Sequence, residues 1–112
     1  MAVYVKVLVP AKIAEASQTT QYTSTGVTTI IDKFTATNYD SATYTLSVNL
    51  VTSGGSASNT NLIVKTKSLQ PGETYTFPEI VGQVLGAGDF VSTIASSGTS
   101  INIRASGRTI TQ

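Results

Sequence analysis

The chain has no cysteine, no histidine and no tryptophan among its 112 residues. Without thiols there can be no disulfide framework, zinc knuckle or thiol redox motif. Without imidazole or thiolate there can be no Ser-His-Asp triad, cysteine nucleophile or ordinary transition-metal site. No metal or cofactor is therefore expected. Charge is also scarce: Asp, Glu, Lys and Arg make up 12% of the chain, against about 25% in an average domain. Seven basic and six acidic side chains leave a net charge of +1. So weak a field gives no basis for holding a nucleic-acid backbone or an anionic membrane. Apolar runs are short as well. None reaches the roughly 20 residues needed to cross a bilayer. Lys6 breaks the N-terminal run, which reads as a strand rather than a processed leader.

What the chain does have is hydroxyl side chains and period-two alternation, with no convincing helical spacing. Val3, Val5, Val7 and Val9 alternate with Tyr4, Lys6 and Leu8. Pro10 then ends that strand or places it on a sheet edge. Residues 1–10 form a candidate N-terminal arm, and a second short strand is expected over residues 12–16. In residues 27–38 Ile30, Phe34 and Ala36 fall on one side and Thr29, Lys33, Thr35 and Thr37 on the other. Asp32 lands on the apolar side and Ile31 on the polar one. The clearest strand puts Tyr44, Leu46, Val48 and Leu50 inward, and Thr45, Ser47 and Asn49 outward. The intervening NYDSA predicts a hairpin between these two strands.

Residues 53–61, SGGSASNTN, have almost no apolar content and predict a mobile loop within one domain spanning residues 1–112. Beyond it, Leu62 and Val64 point inward on another strand, and a Pro71-Gly72 turn leads to a strand through Tyr75 and Phe77. Residues 80–90, IVGQVLGAGDF, suggest one helical turn or a tight loop, because Gly82, Gly86 and Gly88 oppose a longer helix. Three short strands finish the chain, with Phe90, Ile94, Ile101, Ile103 and Ile110 as core candidates. About eight strands joined by turn-rich segments predict an all-β fold: a two-sheet antiparallel sandwich of Greek-key or jelly-roll type.

Catalysis finds little support in the residues, and no enzyme is expected. Paired carboxylates are the main chemistry left open, but Glu15, Asp32, Asp40, Glu73, Glu79 and Asp89 are scattered along the chain. Asp32 is either a buried acid or metal ligand, or it reflects a twist or bulge of the strand, or Lys33 and a turn donor satisfy it. The glycines of GQVLGAGD lack the Lys-Ser or Lys-Thr pair of a phosphate-binding loop. Lys65 and Lys67 occupy the same side of one strand, and Arg104 and Arg108 flank the last turn. Each pair could meet an acidic partner or keep a sheet edge solvated. The five tyrosines could stack on sugar, as in a carbohydrate-binding or adhesin module.

From Thr20 onward the segments TQYT, TTIIDKFTATN, YTLSVNL, SLQPGETYTF, GQVLGAGDFVSTIAS and INIRASGRTIT stand in a suggestive order. The set resembles a group of small β-sandwich virion proteins of tailed bacteriophages and prophages. That group has a TTIIKxFxxxN strand, a hydroxyl-rich strand, a variable polar loop, LxPGET and LxxGD turns and a terminal strand containing Ser-Gly. The resemblance implies a structural protein of the virion, made in the host cytoplasm. It would be a capsid decoration (cement) protein bound to the major capsid protein and to copies of itself, or else a neck or tail accessory protein. The contact residues expected for such a role are Val3, Val5, Val7, Lys65, Lys67, Arg104 and Arg108.

Overall fold

The valine alternation forms β1 (Ala2–Ile13), and the strand runs through Pro10 instead of stopping there. It can do so because β1 lies at a sheet edge, and Pro10 falls where the pairing register shifts between Val9 and Lys12. The missing N–H therefore costs no regular ladder bond. Of the second strand expected over residues 12–16, Lys12 and Ile13 belong to β1 and residues 14–16 form no strand. The computed structural model describes residues 1–111. Its further strands are β2 (Thr19–Thr23), β3 (Thr28–Asn38), β4 (Tyr44–Val51), β5 (Leu62–Leu69), β6 (Thr74–Tyr75), β7 (Val84–Leu85), β8 (Phe90–Ala95) and β9 (Ile101–Thr111).

The first sheet runs β1-β9-β3-β6, with β7 also pairing β3. The second runs β2-β8-β4-β5. Every pairing is antiparallel. Strands β6 and β7 both lie along β3, so they act as one edge strand interrupted by residues 76–83. Taken as one, they give the strand orders 1-8-3-6 and 2-7-4-5 of an eight-stranded jelly roll. The expected fold class is thus the observed one.

Several local expectations give way. Strands β3 and β4 do not form a hairpin, since they belong to different sheets. The buried Asn38 side chain directs the crossing. Its Nδ2 donates to the carbonyls of Ala42 at 2.7 Å and Leu69 at 2.9 Å, and its Oδ1 accepts from the Asp40 N–H at 2.9 Å. At the other end of the chain, the two strands expected on either side of Ser106-Gly107 are one continuous β9. Gly107 makes a close approach rather than a turn. A Cβ there would collide with the Ile30 carbonyl oxygen and lie 3.0 Å from Leu8 Cδ1. Both neighbours of β9 bulge at this level. Leu8 is an extra residue in β1 between Val7 and Val9, and Asp32 is one in β3 between Ile31 and Lys33.

These bulges reverse the faces read from simple alternation. Leu8 and Val9 both turn inward, Ile31 is buried, and Ile30 is only half-buried on the outside. In β8, the inward set is Val91, Thr93 and Ala95, because these lie opposite Leu50, Val48 and Leu46 of β4. Phe90, Ile94 and Ile110 are therefore half-buried, whereas Ile101 and Ile103 are in the core as expected. Phe34 meets Phe77 edge-on at 5.3 Å, and Tyr75 meets Phe77 at 4.8 Å. Fully burying one such ring contributes about 1.5–3 kcal/mol before entropy.

Ser47 and Asn49 face outward as read, yet both are buried: the Thr66 N–H of β5 meets Ser47 Oγ, and the connection after β4 folds over Asn49. Asn49 Nδ2 donates to the Ser58 carbonyl at 2.9 Å and to Asn61 Oδ1 at 2.7 Å, and a 3-10 turn at Asn59–Asn61 completes the cover. Residues 80–90 hold the end of one tight turn, in which Ile80 and Val81 N–H both donate to the Phe77 carbonyl, then β7 and a second turn before β8. Gly82 N–H donates to the Ile31 carbonyl, and Ile31 N–H donates to the Gln83 carbonyl.

Candidate functional site

Cross-strand register shows which side chains share the outer face of the first sheet. Val3 lies beside Ile110 and Thr28. Val5 lies beside Arg108, and the row continues across the sheet through Ile30 to Val84. Val7 lies beside Ser106 and Lys33. The inner face of β9 presents Ile101, Ile103 and Ala105 to the core, so the valines opposite its even-numbered residues point to solvent. Val3 is 53% exposed, Val5 87%, Val7 51% and Val84 59%. The result is an apolar row along β1, which the Arg108 side chain separates from Ile30 and Val84 farther across the same face. Tyr4 and Lys6 are exposed as well, which leaves the first half of β1 an arm attached to the domain through β9.

The backbone of this arm is also partly unpaired. Ala14 N–H donates to the Ile101 carbonyl at 2.8 Å, and Tyr39 N–H donates to the Ser100 carbonyl at 3.0 Å. Odd-numbered residues of β9 thus direct their backbone groups to β1, and even-numbered ones to β3. The extra residues lie in β1 and β3, so this order holds along β9. Val3, Val5 and Val7 sit opposite the even residues Ile110, Arg108 and Ser106. Their own N–H and C=O groups therefore face away from β9, along the free edge.

Arg104 and Arg108 do not flank a turn; they stand on one strand and point to the same outer face. Arg108 is held by Asp32 in a two-pronged pair, Nε to Oδ2 at 2.9 Å and Nη2 to Oδ1 at 2.9 Å. The guanidinium lowers the Asp32 carboxyl below its usual range, and the carboxylate raises Arg108 in turn. Asp32 is thus satisfied by Arg108 and not by Lys33. Arg104 is exposed and has no ion-pair partner among the described residues.

Lys65 and Lys67 do not share a side. An extra residue in β5 and the positive φ of Thr66 (48°) break the alternation between them. Lys67, opposite Leu46, reaches back so that its Nζ lies 4.5 Å from the Tyr75 ring centroid. Lys65 is exposed beside a shallow cleft of about 320 Å³ lined by Gln18, Ser47, Asn49, Ser58 and Thr66. Two of its amides are already engaged: Gln18 Nε2 donates to Ser92 Oγ at 2.8 Å, and Asn49 holds the covering loop. No tyrosine lines it.

The other acids hold local structure. Glu15 accepts from Lys12 at 2.8 Å and from Gln21, and these bonds lower its carboxyl. Asp40 is lowered by hydrogen bonds from Ser100 and the Ser41 N–H. Glu79 accepts from the Tyr75 hydroxyl at 2.9 Å and raises it. Asp89 accepts from the N–H groups of Ser53 and Gly86. Among the described residues no three acids stand together.

Comparison with known proteins gives no match: no family model, no curated protein and no solved structure is similar to the chain. The structure brings together five of the seven expected contact residues, Val3, Val5, Val7, Arg104 and Arg108, and leaves Lys65 and Lys67 on the other sheet. It adds Ile30, Ile110 and Val84, which sequence reasoning missed or assigned to the core. The available signal was the phase break at Asp32, which puts residues before and after it on opposite faces. Chemically the surface offers apolar contact, edge hydrogen bonds and two cations without an ion-pair partner among the described residues, Arg104 and Lys33.

Proposed function

We propose that this chain is a structural component of a bacteriophage virion, a capsid decoration protein that seats the outer face of its first sheet on the head shell. The observation supporting this reading is that Val3, Val5 and Val7 are exposed in a row along β1, with Val84 and Arg104 exposed on the same sheet face. Exposed apolar side chains grouped on one sheet face are a feature of protein contact surfaces. The low charge and many hydroxyls suit a wet, repeated interface in which many weak contacts act together. The ordered segments after Thr20 supply the virion context, and jelly rolls recur in capsid proteins as well as in lectins. Architecture alone decides neither.

The test is to add purified chain to shells that lack it. The wild type should bind and raise the shells' resistance to heat, and Arg104→Glu and Val84→Lys should bind less while folding normally. Absence of wild-type binding ends the proposal. Copy number separates the alternative role: hundreds of copies per particle fit decoration, and a dozen or fewer fit a neck or tail component.

A further inference from the structure

We infer that two copies of this chain join edge to edge through β1, by antiparallel strand addition about a two-fold axis at Val5. The inference is independent of which particle, if any, the protein belongs to.

It follows from where the unpaired backbone groups lie. On the free edge Val3, Val5 and Val7 each present an N–H and a C=O. An antiparallel partner centred on Val5 sets Val5 against the second copy's Val5, Val3 against its Val7, and Val7 against its Val3. Each of these positions is then a hydrogen-bonded pair exchanging two bonds, and no donor or acceptor of the three valines is left over.

Neighbouring registers do worse. Centring on Lys6 places the two Lys6 side chains directly opposite each other, which like charge disfavours. It also sets Val3 against Val9, whose backbone is already turned to Ala105 by the Leu8 bulge. Centring on Tyr4 leaves Val7 facing only Met1. The Val5 register instead sets each Lys6, the only charged side chain in residues 1–11, beside the second copy's Tyr4. An ammonium beside a tyrosine ring is a favourable contact. Charge and hydrogen bonding therefore select the same register, and the net charge of +1 adds little repulsion between copies.

The two-fold axis runs perpendicular to the sheet, so both outer faces end up on the same side. Their valine bands join into one ridge, and Arg104 of each copy stays accessible. The contact is small, below about 1,200 Å² in total, which places it among weak, concentration-dependent interfaces.

The chain has no cysteine, so a single introduced thiol reports the register. Hydrogen-bonded antiparallel pairs have Cα atoms about 5.5 Å apart, within disulfide reach. Val5→Cys should oxidise to a covalent dimer. Val3→Cys and Val7→Cys should each stay largely monomeric alone and form a mixed dimer when combined. In sedimentation, the unmodified chain should self-associate as concentration rises, and Val5→Lys should remain monomeric with an unchanged circular dichroism spectrum.

Several outcomes overturn the inference: a wild type that stays monomeric at every concentration, association that persists in Val5→Lys, or a Val3→Cys homodimer in place of the Val5 one. Cross-linking of Val5→Cys only to a shell subunit would also overturn it, in favour of a foreign strand on this edge. None of these measurements uses Arg104 or Val84, so failure here is distinct from failure of shell binding.

Discussion

Arg108 of β9 grips Asp32 of β3 through two parallel hydrogen bonds, at the very residue where β3 takes up an extra position. The bulge turns the carboxylate away from the core, where it would have been costly, and the guanidinium meets it on the outer face. A strand that looked wrongly patterned is thereby satisfied without burying charge.

Both side chains are nearly half exposed, so the pair should contribute little and be weakened by salt. Asp32→Asn should lower the melting temperature only slightly at neutral pH. Because Arg108 depresses the Asp32 carboxyl in the folded state, the stabilisation is fully present above the ordinary aspartate pKa of about 4. It is lost as pH falls through the lower folded value. Melting curves of wild type and Asp32→Asn should converge in acid. Glu15 and Asp40 are depressed in the same sense and should steepen the wild type's own acid limb.

Gly107→Ala should be among the most damaging single-atom changes in the protein. The obstacle is the Ile30 backbone carbonyl rather than a flexible side-chain tip, so one strand would have to move. A loss of about 2–4 kcal/mol in urea unfolding is expected. Ser106→Ala, on the half-buried outer side of the same strand, should be close to neutral.

Asn38→Ala should cost about 1–3 kcal/mol, the penalty for leaving a buried polar group unmatched. The Leu69 carbonyl and the Asp40 N–H both lose their side-chain partner. Chemical denaturation measures the loss, and increased amide exchange in residues 39–43 should accompany it.

Thr66→Asn should stabilise the protein by about 1 kcal/mol. A β-branched residue at φ 48° is held in a costly conformation that asparagine adopts more easily. The bond from the Thr66 N–H to Ser47 Oγ, 2.8 Å, involves only backbone on the Thr66 side and survives the change. A higher midpoint in urea with an unchanged slope would bear this out.

Much of the architecture was legible because the strands keep a period of two on either side of their bulges. The two-sheet arrangement followed from strand count and turn spacing. What escaped was phase. An inserted residue such as Leu8 leaves no mark in composition, and only the misplaced charge of Asp32 betrayed the second bulge. Gly107 looked like a turn because a glycine needed for close approach and one needed for a turn are spelled alike. The NYDSA segment suits a hairpin as well as a crossing between sheets, and the side-chain bonds of Asn38 decide between them. At the candidate site the three valines and two arginines were named as contact residues, but the arginines were placed beside a turn, and Val84 and Ile30 share the face only through pairing across the sheet.

The margins of the two sheets are unequal, and this limits how the domain can combine. Strands β6 and β7 present two residues each with a gap between them, β2 shifts register within five residues, and β5 is broken at Thr66. Among the described residues only the first half of β1 offers an unbroken run, and the Leu8 bulge closes it after Val7. In strand addition the domain is therefore monovalent: a partner can be taken once and in one place, so association through this margin ends at a pair and does not propagate into a fibre.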